Sequence, residues 1–559
     1  MKSTLQLWEA HSRAAAFAAV VVAACALYLY AQTFDFVCDD AFITLRYAKQ
    51  FAVHGAPVYN LSEKVEGYTN FLWMVFAALF FKVGLNEFRV VHTLSMIAAF
   101  SVMGGVSLLW RNVRLGSQAW MLVPMALVGV TSTIAAWTGG GLESVLYAGL
   151  LASGLGLAAR AIGHDESKVA YAAGACLGFA SLTRPEGVVP MALFALLALA
   201  MRRKKGWPVL WRASAAFSAV FVPFFVWRFA YYGAPLPNTF YLKTSGVGSE
   251  LRARGLEYLR LALDDFGAPI MVMLAALCVP ACEIQEPESP EDARGRRALL
   301  WLLRLNVAFV LPYVMSVGGD FLALYRFFAP AIPLLAVGFC LGVLHLKVML
   351  PPSVGASARA WWVTVVVVVV AGAHTLRQLQ MSETSLTQND PRQAAAHVEP
   401  LHWTALYAKR WGAMGRWIAE HAKPGDGMAV GAAGAMPFYA GLEVNNLDIL
   451  GLCDEYVAKH GTLVGSRPGH QRRSPLAYTL SKRPVFLFEG DYDSDTRHEL
   501  SVDRAWESRG YVWAEATVTR EQHHAPSTFY YYFLMRQDRA LQLRTSSHLR
   551  FAAAQEPGF

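Results

Sequence analysis

Charge is what this chain has least of. Of its 559 residues only 16 % are Asp, Glu, Lys or Arg, whereas 55 % are hydrophobic and the mean hydropathy is +0.33. Ordinary soluble proteins carry about 25 % charged residues, and disordered or coiled-coil chains carry more, so those classes are excluded. A CxxC pair and Cys/His metal spacing are also missing. Five of the seven cysteines (Cys25, Cys176, Cys278, Cys282, Cys340) lie in or beside apolar runs, which leaves Cys38 and Cys453 in polar segments and predicts no disulfide framework. There is no GxGxxG pattern, internal repeat or low-complexity tract. The excess of 49 basic over 41 acidic residues gives +8, which fits basic cytoplasmic loops of a membrane protein, and no nucleic-acid partner is expected.

What the chain does have is long hydrophobic runs. A membrane-spanning helix needs roughly 20 mostly apolar residues, because only a helix or a closed barrel satisfies its own backbone in hydrocarbon. About eleven such runs can be drawn, centred on 14–33, 88–110, 117–136, 142–160, 168–184, 187–202, 209–231, 268–283, 298–317, 327–347 and 358–376. The first follows Lys2 and Arg13 and is read as an uncleaved span rather than a signal peptide. Basic loops stay cytoplasmic, and the markers are Arg202, Arg203, Lys204 and Lys205, then Arg111 and Arg114, then Arg294, Arg296 and Arg297. All fall on one side only if the short run 71–84, which contains Lys82, does not cross. That places the N-terminus in the cytoplasm and segments 34–87, 137–143, 183–187, 231–265 and 318–326 outside, together with everything after about residue 377.

The composition changes in the last stretch. From 377 to 559 the hydrophobic runs shorten and Gly/Pro punctuation returns. Segments 428–431, 444–450, 484–488, 511–518 and 529–535 read as strands, preceded by an amphipathic helix over 403–421. The predicted organisation is a transmembrane module (1–376, with its first outer loop at 34–87) and an outer α/β domain (377–559). Gly431-Ala-Ala-Gly434 reads as tight packing after a strand rather than a phosphate turn, and Trp403, Trp411 and Trp417 as core packing against the membrane module rather than a carbohydrate platform.

Chemistry-bearing residues crowd the outer segments. Asp39 and Asp40 stand just past the first span, where adjacent acids are costly unless solvated, paired or bound. One carboxylate could accept a hydroxyl proton while its neighbour raises its pKa; equally, one of them could cap the helix that follows. A divalent cation at the acids is left open, although no cluster of metal-site spacing can be counted. Arg46 follows six and seven residues on, placed either to grip a phosphate or to neutralise the acids. Arg184, Lys243 and Arg326 bring further cations to the same face, and Glu66, Tyr68, Asn70, Asn238 and Asp320 bring groups suited to sugar hydroxyls, with Glu66 and Asp320 better suited still to pairing with nearby basic groups. Taken together they read as a site for a lipid-linked phosphate and a sugar. Asp448, Asp454, His460 and His470 add a polar stretch after a predicted strand.

These residues also carry a resemblance. The run DDAFITLRYAKQFAVHGAPVYN with VEGYTNFLW, then TGGGLES, LTRPEG, GAPLPNTFYLK, GGDFLALYRFFAP and GLEVNNLDILGLCD, resembles in order the arabinofuranosyltransferase-like branch of the GT-C glycosyltransferases. That branch includes the terminal β-(1→2)-arabinofuranosyltransferase family and related enzymes that glycosylate pilin. The resemblance implies a multi-pass GT-C enzyme of the bacterial inner membrane with its C-terminal domain in the periplasm. It implies an inverting transfer of a pentofuranosyl group, D-arabinofuranosyl, from a polyprenyl-phosphate donor to a glycan or pilin-like protein acceptor on the outer face. It maps the catalytic acid onto Asp39 or Asp40. A competing reading, a transporter or flippase of a lipid-linked sugar, shares the basic outer sites but would place ionisable groups near the midplane and show two related halves.

Overall fold

The computed structural model describes residues 2–111, 118–244, 248–280, 289–351, 353–465, 467–490, 492–522, 525–544, 546 and 548–552. Arg114, one of the sidedness markers, lies outside the described residues. Among them, eight helices are long and apolar enough to cross a membrane, or nine if the pair Ala119–Val130 and Ser132–Gly139, bent by 66°, counts as one span. Each of the eleven predicted runs is helical over most of its described length. Two of them share the segment Pro185–Tyr232, and the run at 168–184 becomes a helix of only 17 residues, Ser167–Thr183. The run at 71–84 forms the short apolar helix Phe71–Lys82. The architecture is that of a polytopic helical membrane protein with a sheet-containing C-terminal domain.

One helix was hidden from the apolar count. Segment 231–265, expected as an outer connection, is helical from Gly248, within Gly248–Cys278. Its buried residues Leu251, Gly255, Tyr258, Leu261 and Ala262 recur at three- and four-residue spacing, so it covers one face while the other stays polar, a pattern that total hydropathy misses. The helix breaks at Gly267 (φ +68°).

The chain forms two compact units. The first comprises Met1–Val37, Thr69–Gly233 and Gly248–Trp403; the second comprises Cys38–Tyr68, Ala234–Val247 and Thr404–Phe559. The boundary therefore differs from a single cut at 376/377. Helix Ala356–Thr387 runs on past 376, and two segments from the membrane half of the sequence join the C-terminal domain. In the first unit, helices Glu87–Arg111 and Ser144–His164 meet at glycines: a Cβ on Gly105 would stand 2.6 Å from the Gly149 carbonyl. Small residues allow this close approach and gain dispersion contacts where lipid offers no hydrophobic drive.

The second unit is built on a mixed sheet of β1 (Gly427–Val430), β2 (Asn445–Asp448), β3 (Phe486–Leu487), β4 (Asp493–Ser494), β5 (Tyr511–Gln522), β6 (Ala525–Arg536) and β7 (Leu549–Phe551). The order is β2-β1-β3-β6-β5-β7, with β4 also on β6; β1 runs parallel to β2 and β3, and the other pairs are antiparallel. All five predicted strands are found. Helix Leu401–His421 covers the sheet, its Met414, Trp417 and Ile418 packing with Met428, Val430, Phe486, Phe533 and Met535. Each such burial contributes about 1.5–3 kcal/mol. Trp417 is thus a core residue of this unit, Trp411 packs partly against the same core, and Trp403 donates its indole N–H to Asn389 (2.7 Å).

Candidate active site

The structure sorts the sequence-derived candidates into two groups. Asp39, Asp40, Arg46, Glu66, Tyr68, Asn238 and Lys243 belong to the second unit, and Asn70, Arg184, Asp320 and Arg326 to the first.

In the second unit, helix Asp39–His54 opens after Cys38, whose side chain makes no cap, so Asp39 and Asp40 form its first turn. Acids are favoured there by the helix dipole. The Asp39 carboxylate does not cap its own helix; it accepts the backbone N–H of Ala435 (2.7 Å) and of Gly434 (3.2 Å), at the start of helix Ala435–Ala440. Gly434 is needed for that approach: a Cβ there would lie 1.9 Å from the Asp39 carbonyl oxygen. The tight packing expected of the Gly-Ala-Ala-Gly turn is therefore against Asp39. Burial pushes the Asp39 carboxyl up to about 7; the N–H groups of Ala435 and Gly434 pull it down, and the charges of Asp40 and Asp448 raise it.

Arg46 is fully buried. Its Nε donates to the Tyr59 carbonyl (2.9 Å), Nη1 to those of Pro437 and Gly441, and Nη2 to that of Val444 (2.9 Å). Its fork thus clamps the 38–68 segment onto residues 437–444 of the same unit, where the sequence suggested a phosphate grip. Asn238 acts similarly, donating from Nδ2 to the carbonyls of Gly451, Leu452 and Asp454, while its N–H donates to the Glu66 carbonyl. Glu66 is buried, Tyr68 packs edge-on against Tyr47, and half-buried Lys243 accepts from Gln471 through its carbonyl. Asp448 accepts three N–H groups, from Leu450, Gly451 and Cys453, and burial lifts it to about 6. Asp454 caps Glu455–His460 through the Val457 N–H; His460 is exposed, and His470 lies against the Pro468 carbonyl.

The first unit gathers its candidates into one ionic cluster. Arg184 donates to Glu143 (2.8 Å), to Glu186 and to the Tyr313 hydroxyl (3.0 Å), and Glu143 also accepts from Asn70 (2.8 Å). Arg326 pairs with Asp320 (2.8 Å). Both guanidinium groups flank the Phe327 ring, at 5.5 and 5.4 Å from its centre. Arg326 is presented by a strained turn: Leu324 and Tyr325 are both left-handed (φ +57° and +53°), a conformation costing about 1–3 kcal/mol each. Thr133 and Trp137 hold the carbonyls of Leu324 and Ala323, and the Tyr325 hydroxyl donates to Asp265. In the sequence Tyr313 lies inside an apolar run and is not among the candidates; an isolated tyrosine, like Asn306 in the same run, is the signal that marks it. Among the described residues, no group of three or more His, Cys, Asp or Glu is arranged to hold a metal ion.

A family model described as "Domain of unknown function (DUF8728)" matches residues 399–532, all but the first five of them in the second unit. No curated protein matches the sequence. Among solved structures, the chain is similar to ArnT from Cupriavidus metallidurans, in the apo state (13 % identity, 96 % of this chain and 99 % of that one, TM-score 0.49) and bound to undecaprenyl phosphate (14 %, 76 % and 85 %, 0.48). It is also similar to the oligosaccharyltransferase of Archaeoglobus fulgidus in its apo form (13 %, 77 % and 64 %, 0.48).

Proposed function

We propose that the chain is an inverting GT-C glycosyltransferase that moves a pentofuranosyl group, D-arabinofuranosyl, from a polyprenyl-phosphate donor to a glycan or protein acceptor on the outer face of the bacterial inner membrane. The observation that carries the reading is Asp39, a carboxyl seven residues along the chain from the end of the first spanning helix at Gln32, held by two backbone N–H groups and raised to about 7. A general base works best when its pKa lies near the working pH.

In this reading Asp39 takes the proton of an acceptor hydroxyl. The freed oxygen attacks the anomeric carbon, the bond to the carrier phosphate breaks, and polyprenyl phosphate leaves with the electron pair; one displacement inverts the configuration. Asp40 raises the basicity of Asp39 through its charge. Arg184, Arg326 and Lys243 are the cations assigned to the carrier phosphate, where positive charge stabilises the bond-breaking state. Arg46 leaves that set because its donors are spent on carbonyls. Glu66, Tyr68, Asn70, Asn238 and Asp320 remain assigned to sugar and acceptor, Asn238 through positioning rather than contact.

The test is transfer by the purified full chain from synthetic polyprenyl-phosphoryl arabinofuranose to an oligoarabinoside. Asp39→Asn should lower kcat by about 100- to 10,000-fold. Wild-type rates in that variant would remove Asp39 from the chemistry, and movement of the lipid across vesicles without a new glycosidic bond would favour transport.

A further inference from the structure

The first unit contains a cleft lined by Tyr147, Glu186, Asn306, Phe309, Tyr313 and Phe327. These residues come from helix Ser144–His164, the turn Pro185–Gly187, helix Pro290–Val317 and the strained turn Ala323–Phe328. Its polar groups share a property that the ionic cluster beside it does not explain. Among the described residues, the Tyr147 hydroxyl has no hydrogen-bond partner. The Tyr313 hydroxyl accepts from Arg184 but its own proton has no acceptor. Glu186 gives one carboxylate oxygen to Arg184 and has no donor on the other. Asn306 donates to the Leu302 carbonyl of its own helix, and its side-chain oxygen receives nothing.

Tyr147 and Asn306 are only 3 % and 4 % exposed, and both lie in spanning helices, where polar groups are expensive unless they are used. Two hydroxyl donors and two acceptor oxygens therefore line one cleft whose remaining surface is aromatic and aliphatic. Among the described residues the cleft's own lining carries one carboxylate, Glu186, and no cation, which suits a neutral group, while Arg184 and Arg326 stand beside it. A ligand that fills this set carries several hydroxyls on a ring with an apolar face.

We infer that the Tyr147–Glu186–Asn306–Tyr313 cleft is a specificity site that reads the hydroxyls of the glycosyl ring on the lipid-linked donor. This rests on the glycosyl-transfer reading and deepens it. Glu186 and Asn306 accept from ring hydroxyls, Tyr147 and Tyr313 donate to ring oxygens, and Phe309 and Phe327 cover the ring's C–H face.

The experiment compares thermal unfolding of the full chain in detergent with polyprenyl phosphate and with polyprenyl-phosphoryl arabinofuranose, for wild type, Tyr147→Phe and Tyr313→Phe. Both variants remove one oxygen and keep the ring; the unliganded chain should unfold at an unchanged or higher temperature with Tyr147→Phe and at a lower one with Tyr313→Phe, which takes an acceptor from Arg184, so each increment is read against its own unliganded variant. In wild type the sugar-bearing lipid should stabilise more than the bare carrier. That increment should shrink in both variants, with donor KM rising about tenfold, as for one lost hydrogen bond, while acceptor KM holds. Equal stabilisation of wild type by the two lipids, or an increment that survives in both variants, would overturn the assignment and leave a cleft filled by water. The two readings fail separately. An increment sensitive to Tyr147→Phe in a chain that forms no glycosidic bond sinks the transfer reaction and keeps the cleft; transfer with an insensitive increment does the reverse.

Discussion

Arg46 and Arg184 look alike in sequence, each an arginine in a polar segment beside acids, and the two units use them in opposite ways. Arg46 is surrounded by backbone carbonyls from Tyr59, Pro437, Gly441 and Val444. Arg184 is surrounded by the side chains of Glu143, Glu186 and Tyr313. Carbonyl partners are fixed by the chain path and cannot change charge or rotamer, so Arg46 reports where the backbone must be. Side-chain partners can be exchanged, protonated or bridged to a ligand. Burial of an arginine is thus no guide to function until its acceptors are known, and the acceptors of Arg184, not those of Arg46, are the kind a substrate could engage.

The contrast is most sharply tested by removing each guanidinium. Arg46→Leu leaves the buried carbonyls of Tyr59, Pro437 and Val444 and the half-buried one of Gly441 unpaired, at about 1 kcal/mol or more for each buried one, so the second unit should lose at least about 3 kcal/mol. Hydrogen exchange in the full chain should show residues 437–446 losing protection first. Arg184→Leu strands Glu143 and Glu186 and should cost about 3 kcal/mol, the low end for a broken buried pair because both acids keep some hydration. Adding Glu186→Gln should recover part of that loss in melting temperature. No single side-chain change should rescue Arg46→Leu, because its partners are backbone; a rescue would erase the distinction between the two arginines.

A smaller effect is expected at the Asp39 cradle. Gly434→Ala forces a methyl group into the Asp39 backbone and should cost about 1–3 kcal/mol, as overpacking does. It should also lower transfer by displacing the carboxylate, with KM for the donor unchanged. Retention of full activity would mean that the Gly434 and Ala435 N–H groups do not set the position of Asp39.

These cases also mark how far the sequence could be read. Apolar runs and alternating strands are local patterns, and they located the spanning helices, helix Leu401–His421 and the strands β1, β2, β3, β5 and β6. The amphipathic helix after Gly248 escaped because half its surface is polar. The membership of 38–68 and 234–247 in the C-terminal unit escaped for a different reason. It depends on Arg46 and Asn238 meeting carbonyls some 200 to 400 residues away, and a backbone carbonyl has no signature in sequence. The sequence offers Asp39 or Asp40 as the cap of the helix that follows, but the helix whose first N–H groups Asp39 accepts is Ala435–Ala440, about 400 residues away.

A change of pH separates Asp39 the structural ligand from Asp39 the base. Its carboxyl lies near 7 in the folded chain against an ordinary 3.8. Between about pH 4 and pH 7 the folded state therefore holds a proton that the unfolded state has released, and stability falls as pH rises across that window. The contribution is complete below pH 4 and gone above pH 7. Asp448, lifted to about 6, adds a drop of the same sign at the acid end of the window. The melting temperature of wild type should decline from pH 4 to pH 7, and Asp39→Asn should flatten the upper part of the decline while leaving the portion owed to Asp448. Transfer should move the other way, rising through pH 7 as Asp39 loses its proton. A chain whose activity and stability rose together across that range would have its base elsewhere, because the deprotonation that arms Asp39 is the same one that costs the fold.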